Sequence, residues 1–221
     1  MSEVWVDPER PDLVCKRIRS DQATNPVFVH QSRVEAEALR RIDHPAVLRL
    51  RAETVEGLWL ERGEPLPGPP PEPTRALVDL AAALRAVHAA GVLHRDVKAE
   101  NLLRVPRGIV LGDFGCARID GWDDPAPMLG SPEAMSPERL AGAPATAADD
   151  WWALGVLAWT WLTGAPPFPS RRFPEVRASV ARGLPSWRSG APGAEQWEVT
   201  VRRWLSSEPA ARAEVEPRAP A

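Results

Sequence analysis

The stretch Val92-Leu93-His94-Arg95-Asp96-Val97-Lys98-Ala99-Glu100-Asn101, followed by Asp113-Phe114-Gly115, gathers several groups that phosphoryl transfer needs. Asp96 can accept a hydroxyl proton, and Lys98 can neutralise charge on the moving phosphoryl group. Asn101 and Asp113 offer oxygen ligands to magnesium.

These residues need elements to position them. Residues 3–6 and 12–18 read as two strands joined by the Pro-containing turn Asp7-Pro8-Glu9-Arg10-Pro11. Residues 31–42 have the period of an amphipathic helix, with Val34, Ala38, Leu39 and Ile42 on one face. Asp43-His44-Pro45 stops it, because a proline disfavours helix in the residue before it. Residues 47–55 and 58–60 read as a hairpin around Glu56-Gly57. Residues 64–73 are Pro-rich and read as a stiff extended linker. Residues 74–90 form a periodic Ala/Leu helix, with Thr74 as N-cap and Gly91 ending it. Leu102-Leu103 and Ile109-Val110-Leu111 are short strands flanking Pro106-Arg107-Gly108, and they deliver Asp113. Residues 151–163 are the longest apolar run, too short for the roughly 20 residues a bilayer span requires, and read as a buried helix.

The order and spacing of His94 to Asn101 and of Asp113-Phe114-Gly115 resemble the catalytic-loop and magnesium-loop signature of protein kinases. The resemblance implies an α+β, two-lobed fold over residues 1–213. A small β-rich lobe with one regulatory helix spans 1–62, a larger helical lobe spans 63–213, and 214–221 form a frayed Pro/Ala/Glu-rich tail. It implies ATP and Mg2+ as cofactors, Asp96 as base, and Asn101 and Asp113 as metal ligands. Lys98 and Lys16 would contact phosphates, Lys16 being held by a helix glutamate. Counting back from His44 favours Glu35 for that glutamate, with Glu37 the competitor. His94, Phe114 and Leu39 would form a packed column between the lobes. Leu60 would lie behind the adenine, and Glu61-Arg62-Gly63 would be the hinge, with Glu61 and Gly63 binding through their backbone.

Gly130-Ser131-Pro132-Glu133-Ala134-Met135-Ser136-Pro137-Glu138 resembles the family's G-T-P-x-Y-M-A-P-E segment, with Ala134 in place of the Tyr. Ser131 there, with Lys98 after Asp96, points to serine/threonine rather than tyrosine specificity, and Ala134 alters the wall of the peptide pocket. No Ser, Thr or Tyr lies between Gly115 and Gly130, so the loop has no phosphorylation switch. Asp120, Asp123 or Asp124 is expected to pair with Arg95 instead. Asp150-Trp151-Trp152-Ala153-Leu154-Gly155 resembles the opening of the large lobe's central helix. Asp150 would hold the catalytic loop, and Asp149 would be an N-cap or solvated. Arg212 would pair structurally with Glu138.

Composition singles out the same residues. Of 27 Lys+Arg, only Lys16 and Lys98 are lysines, and the asparagines are Asn25 and Asn101 alone. In a chain biased to Arg, as high-GC coding sequences are, both lysines fall where kinase chemistry requires one. A lysine ammonium is a point charge that an Arg fork does not replace.

The chain has 221 residues, 44% hydrophobic and 26% charged, with a net charge of −3. That balance gives no reason to expect nucleic acid or an anionic membrane as partner. No secretion signal opens the sequence, and Cys15 and Cys116 form no CxxC. Both facts suggest reduced thiols and a cytoplasmic setting, with any regulation supplied by a partner.

The family's phosphate-covering G-x-G-x-x-G loop has no counterpart here. Each hydrogen bond to a charged group contributes about 1.5–3 kcal/mol, so losing two costs roughly 3–6 kcal/mol, about 10²- to 10⁴-fold. Three readings follow. The first is a serine/threonine protein kinase, with a start codon placed too late or a compensated loop. The second is a pseudokinase scaffold, and the third a small-molecule phosphotransferase.

Overall fold

The computed structural model describes residues 2–125, 128–189 and 193–212; the tail expected at 214–221 lies outside them. Strands β1 (Ser2–Asp7) and β2 (Arg10–Ile18) pair antiparallel, Trp5 opposite Cys15. The turn between them is closed by Asp7, whose carboxylate accepts the Glu9 N–H at 2.9 Å. Strands β3 (Leu50–Thr54) and β4 (Gly57–Glu61) complete a four-stranded antiparallel sheet in the order β1-β2-β4-β3. Trp5 packs edge-on against Trp59 across it, ring centroids 5.1 Å apart.

Helix α1 (Pro26–Arg41) covers this sheet. It starts more than a turn before the expected residue 31. Asn25 is its N-cap and accepts the Val27 N–H at 3.0 Å, and Pro26 fits the first turn, where its missing N–H is no loss. The expected strand at 47–55 is also shorter. Residues 46–48 leave the sheet, Leu48 donating to the Leu111 carbonyl and Leu111 to that of Ala46, both at 2.9 Å. This small parallel bridge joins the first sheet to the second layer.

That layer is mainly helical. Strand β5 (Glu64–Pro65) pairs with β7 (Leu102–Val105), so the Pro-rich segment begins as a sheet edge rather than a free linker. Helix α2 (Pro73–Ala89) begins with Pro73, so Thr74 lies inside the first turn and Glu72 holds the cap position. A proline at the first helical position outcompetes the Thr cap because its φ is already helical. Strand β6 (Val92–Leu93) precedes the catalytic stretch; β8 (Gly108–Leu111) pairs with β7, and β9 (Arg118–Ile119) pairs with β6. Helices α3 (Pro137–Leu140), α4 (Ala147–Thr163), α5 (Phe173–Ala181) and α6 (Glu198–Trp204) follow.

Helix α4 is apolar all round because it is the core: Trp151, Trp152, Leu154, Ala158, Trp159 and Leu162 are each at most 3% exposed. It packs on α2 and α6. Gly155 lets α6 approach, since a Cβ there would sit 2.9 Å from Leu205 Cγ. Asp149 is neither the N-cap nor solvated. Thr146 is the N-cap, and Asp149 Oδ2 closes a capping box by accepting the Thr146 N–H at 2.6 Å. The other oxygen of Asp149 accepts from the buried Ser136 hydroxyl. Among the described residues no helix is long and apolar enough to cross a membrane.

Candidate active site

The stretch from His94 to Asn101 is held by Asp150, which is 1% exposed in the first turn of α4. Its Oδ2 accepts the His94 N–H at 2.9 Å and its Oδ1 the Arg95 N–H at 2.8 Å. His88 Nε2 lies 2.8 Å from Oδ2. Burial pushes the Asp150 carboxyl up, but His88 and His94 outweigh it and hold it below the ordinary 3.8. An ionised acceptor so placed fixes two successive N–H groups and lets Arg95 adopt a left-handed φ of 67°. Such a conformation costs a non-glycine residue about 1–3 kcal/mol.

His94 is fully buried and bridges the stretch to the next motif. Nε2 lies 3.0 Å from the Gly112 carbonyl, while Nδ1 accepts the Asp96 N–H at 3.2 Å. This assigns a neutral ring with its proton on Nε2. The ring packs edge-on against fully buried Phe114 at 4.6 Å, and Leu39 joins the same apolar cluster.

Asp96 is the convergence point. Oδ1 accepts the Ser131 N–H at 2.9 Å; Oδ2 takes Asn101 Nδ2 and Lys98 Nζ, each at 2.9 Å. Lys98 Nζ also donates to Ser131 Oγ at 2.6 Å. Burial raises the Asp96 carboxyl, but these donors, Lys98 foremost, keep it below the ordinary value. Gly130 permits this approach of the two segments: at φ 122°, a Cβ there would meet the Arg95 carbonyl at 2.5 Å.

Across the cleft, Lys16 Nζ lies 2.8 Å from Glu35 and 2.8 Å from Asp113 Oδ1. Desolvation works against the ammonium, but the two carboxylates outweigh it and raise its pKa. Glu35 is 3% exposed, and burial raises its carboxyl although Lys16 opposes the rise. Glu37 faces outward and pairs with Arg41 and Arg40. The structure thus brings Glu35, and not Glu37, to Lys16. Asp113 has a left-handed φ of 55°.

The Arg95 guanidinium reaches Asp124 Oδ2 at 2.7 Å and the Cys116 carbonyl at 2.6 Å. Asp120 lies instead 3.8 Å from Arg118. Glu138 and Arg212 form a bidentate pair.

The Glu61 side chain is turned away from the cleft. It accepts the Arg49 N–H at 2.8 Å and is gripped by the Arg107 guanidinium, which also donates to the carbonyls of Pro45 (2.7 Å) and Val47 (2.9 Å). Leu60 is buried, and Gly63 lies against Leu103, whose Cβ would be 2.7 Å from a Cβ at 63. No sequence signal marked Arg107, which sits in a Pro-Arg-Gly turn; His88 was likewise unmarked, and Ser136 stood out only as a member of the 130–138 segment. Two helix positions ahead of its cap, His88 had one available signal, a polar residue in the last turn of an Ala/Leu helix.

Cys15 is buried and Cys116 is partly exposed. Cys15 is 0% exposed and its thiol is raised by burial; that of Cys116 is pushed up to about 11 by burial, with Asp96 and Asp113 adding to the rise. Since the thiolate is the nucleophile, both should resist iodoacetamide in the native chain at pH 7.5 and react readily in urea. Mass spectrometry of labelled peptides checks this; rapid native labelling of Cys15 would contradict its burial, and of Cys116 its raised pKa.

The model of the protein kinase domain family matches residues 69–211. Among curated proteins, the chain is 35% identical over 195 residues to serine/threonine-protein kinase PkaB of Streptomyces coelicolor, covering 75% of this chain and 46% of that protein. It is 28% identical to serine/threonine-protein kinase PrkC of Bacillus subtilis, over 86% of this chain and 31% of that protein. With human serine/threonine-protein kinase H1 the identity is 36%, over 63% of this chain and 35% of that protein. The chain thus spans less than half the length of these relatives.

Proposed function

The chain belongs to the protein kinase family, and from that premise we propose that it transfers the γ-phosphate of ATP to serine or threonine hydroxyls of protein substrates in the cytoplasm. The observation that carries this is the convergence of Asp96, Lys98, Asn101 and Ser131 on one side of a cleft whose other side holds Lys16, Glu35 and Asp113.

Asp96, kept ionised by its donors, accepts the hydrogen bond of the substrate hydroxyl and takes its proton as the phosphoryl group leaves ATP. Its low basicity suits a loose transition state, in which proton transfer comes late. Lys98, bridging Asp96 and Ser131, places a positive charge beside the transferring group. Lys16, oriented by Glu35, does the same for the phosphates still on the nucleotide.

The donor set fits magnesium. Asp113 supplies a half-exposed carboxylate. Asn101 donates its NH2 to Asp96 O (2.7 Å) and Oδ2 (2.9 Å), which leaves its carbonyl oxygen as the ligand atom. One or two protein oxygens together with substrate phosphates are an ordinary ligand set for magnesium. Bound there, magnesium would neutralise phosphate charge.

The experiment is transfer of labelled γ-phosphate from ATP to a generic protein substrate, followed by phosphoamino-acid analysis. Label on Ser or Thr that disappears in Asp96→Ala and Asp113→Ala is the expected result. Equal signal from all three proteins would sink the reading, and no transfer by the wild type would favour a scaffold role.

The Arg95–Asp124 pair supports a loop ordered without phosphorylation. A charged hydrogen bond contributes about 1.5–3 kcal/mol, so Asp124→Ala should slow transfer roughly ten- to a hundredfold. Asp120→Ala and Asp123→Ala should stay near wild type. Wild-type rates for all three, singly and combined, would remove the role assigned to this pair.

A further inference from the structure

On the side to which the Glu61 carboxylate points lies a recess of about 800 Å³, whose wall carries Arg49, Arg51, Arg62, Arg104 and Arg107. Arg51 is on β3 with Arg49 just before it, Arg62 follows β4, and Arg104 and Arg107 belong to β7 and its turn into β8. Hydrogen bonds fix these backbones. The Arg49 N–H donates to Glu61 Oε1 at 2.8 Å, and the Arg62 N–H donates to the Asp12 carbonyl at 2.7 Å. Paired strands and these bonds therefore hold the arginines around one space.

The recess is positive in a chain that is negative. Arg107 is committed to the Glu61 carboxylate, and that pair cancels. Among the described residues no carboxylate pairs with Arg49, Arg51, Arg62 or Arg104, all four of them exposed. Arg62 donates only to the Pro11 carbonyl, at 3.2 Å. Asp12 and Glu64 are the other acidic side chains in the wall. Four cations thus face two carboxylates here, while the whole chain carries −3. Guanidinium groups crowded without counter-charges raise the local potential, and an incoming anion relieves it. A single exposed pair contributes little, but a segment with several negative groups engages several forks together, each able to grip two oxygens of a carboxylate or phosphate.

We propose that this recess docks an acidic segment of a protein partner, negative through Asp and Glu or through phosphorylated side chains. The mixed wall favours a protein over a nucleic acid. Asp12 and Glu64, set among the arginines, repel an unbroken run of phosphates, whereas a peptide can place neutral side chains against them and apolar ones against Leu13 and Pro106. The recess shares no residue with the set of Lys16, Glu35, Asp96 and Asp113. Docking there needs neither nucleotide nor catalysis, so it stands or falls apart from the kinase reading.

The test is fluorescence anisotropy on the full chain with labelled peptides of equal length: one alternating Glu with Ala, one with phosphoserine in place of Glu, and one with Gln in place of Glu. A single-stranded oligonucleotide of matching charge is the fourth probe. At least one acidic peptide should bind tighter than the Gln peptide, and its binding should weaken as salt rises. Arg49→Gln combined with Arg104→Gln should weaken it about tenfold or more, since each change removes charged hydrogen bonds. Arg177→Gln combined with Arg182→Gln removes two exposed arginines at α5 and should leave binding nearly unchanged, melting temperature serving as the folding control. Tighter binding of the phosphoserine peptide assigns a phosphorylated partner, and tighter binding of the Glu peptide one rich in Asp and Glu. The proposal is overturned if neither acidic peptide outbinds the Gln peptide, or if the two double variants weaken binding equally. An oligonucleotide that binds tighter than both peptides, and loses that binding with Arg49 and Arg104, would overturn it too.

Discussion

Asp96→Asn should lower the rate of phosphotransfer by about 10³-fold or more, with the protein still folded. General-base participation alone contributes about 10²- to 10⁴-fold. The substitution also harms the site's positioning. The asparagine oxygen can replace Oδ1 in accepting the Ser131 N–H, but its NH2 then faces Lys98 Nζ and Asn101 Nδ2, both donors. Three donors without an acceptor would push Lys98 and Asn101 away, and with them the charge and the metal ligand proposed above. Single-turnover transfer measures the chemical step, and the shift in melting temperature with magnesium–ATP measures nucleotide binding separately. The expected pattern is a rate that falls far more than nucleotide binding, because Lys16 and Asp113 are left in place. An unchanged rate would remove Asp96 from the mechanism.

Arg212→Ala should destabilise the fold by about 3–5 kcal/mol, the cost of leaving one member of a buried ion pair alone. Arg212 is 0% exposed and holds both oxygens of Glu138 as well as the Ser206 carbonyl at 2.8 Å. It joins the end of the 113–138 segment to the last described turn. For a domain of this size, roughly 2–4 °C per kcal/mol translates that loss into a fall in melting temperature of about 6–20 °C. The pair also has a pH signature. Burial raises the Glu138 carboxyl, but Arg212 outweighs it and holds it below the ordinary 4.5. The unfolded chain therefore binds the proton more readily, so the stabilisation is complete above about pH 4.5 and lost as pH falls through the lower folded value. Glu138→Gln should be less stable at pH 7 and lack that part of the acid dependence. Urea midpoints of the wild type and both variants between pH 3 and 7 would decide this, and identical curves would refute it.

Much of the site was legible because its residues are close in sequence and chemically specialised. Asp96, Lys98 and Asn101 share one short loop, where their spacing alone brings them within reach of one another, and scarcity drew attention to Lys16. What stayed illegible depended on where side chains point. Glu35 and Glu37 are both plausible partners for Lys16 by distance along the chain. The phase of α1 separates them, and that phase is set by Pro26, the Asn25 cap and the packing of Val34, Ala38 and Leu39.

The sequence by itself determined the fold family, the grouping of Asp96, Lys98 and Asn101 in one loop and the order of the elements, since each rests on local spacing or periodicity. Only the tertiary structure chose Asp124 among three aspartates for Arg95, committed Arg107 to the Glu61 carboxylate and buried Asp149 against Ser136. The reason is the same in each case. Such contacts join residues from different elements, and their distances are fixed by how those elements pack, which no local pattern encodes.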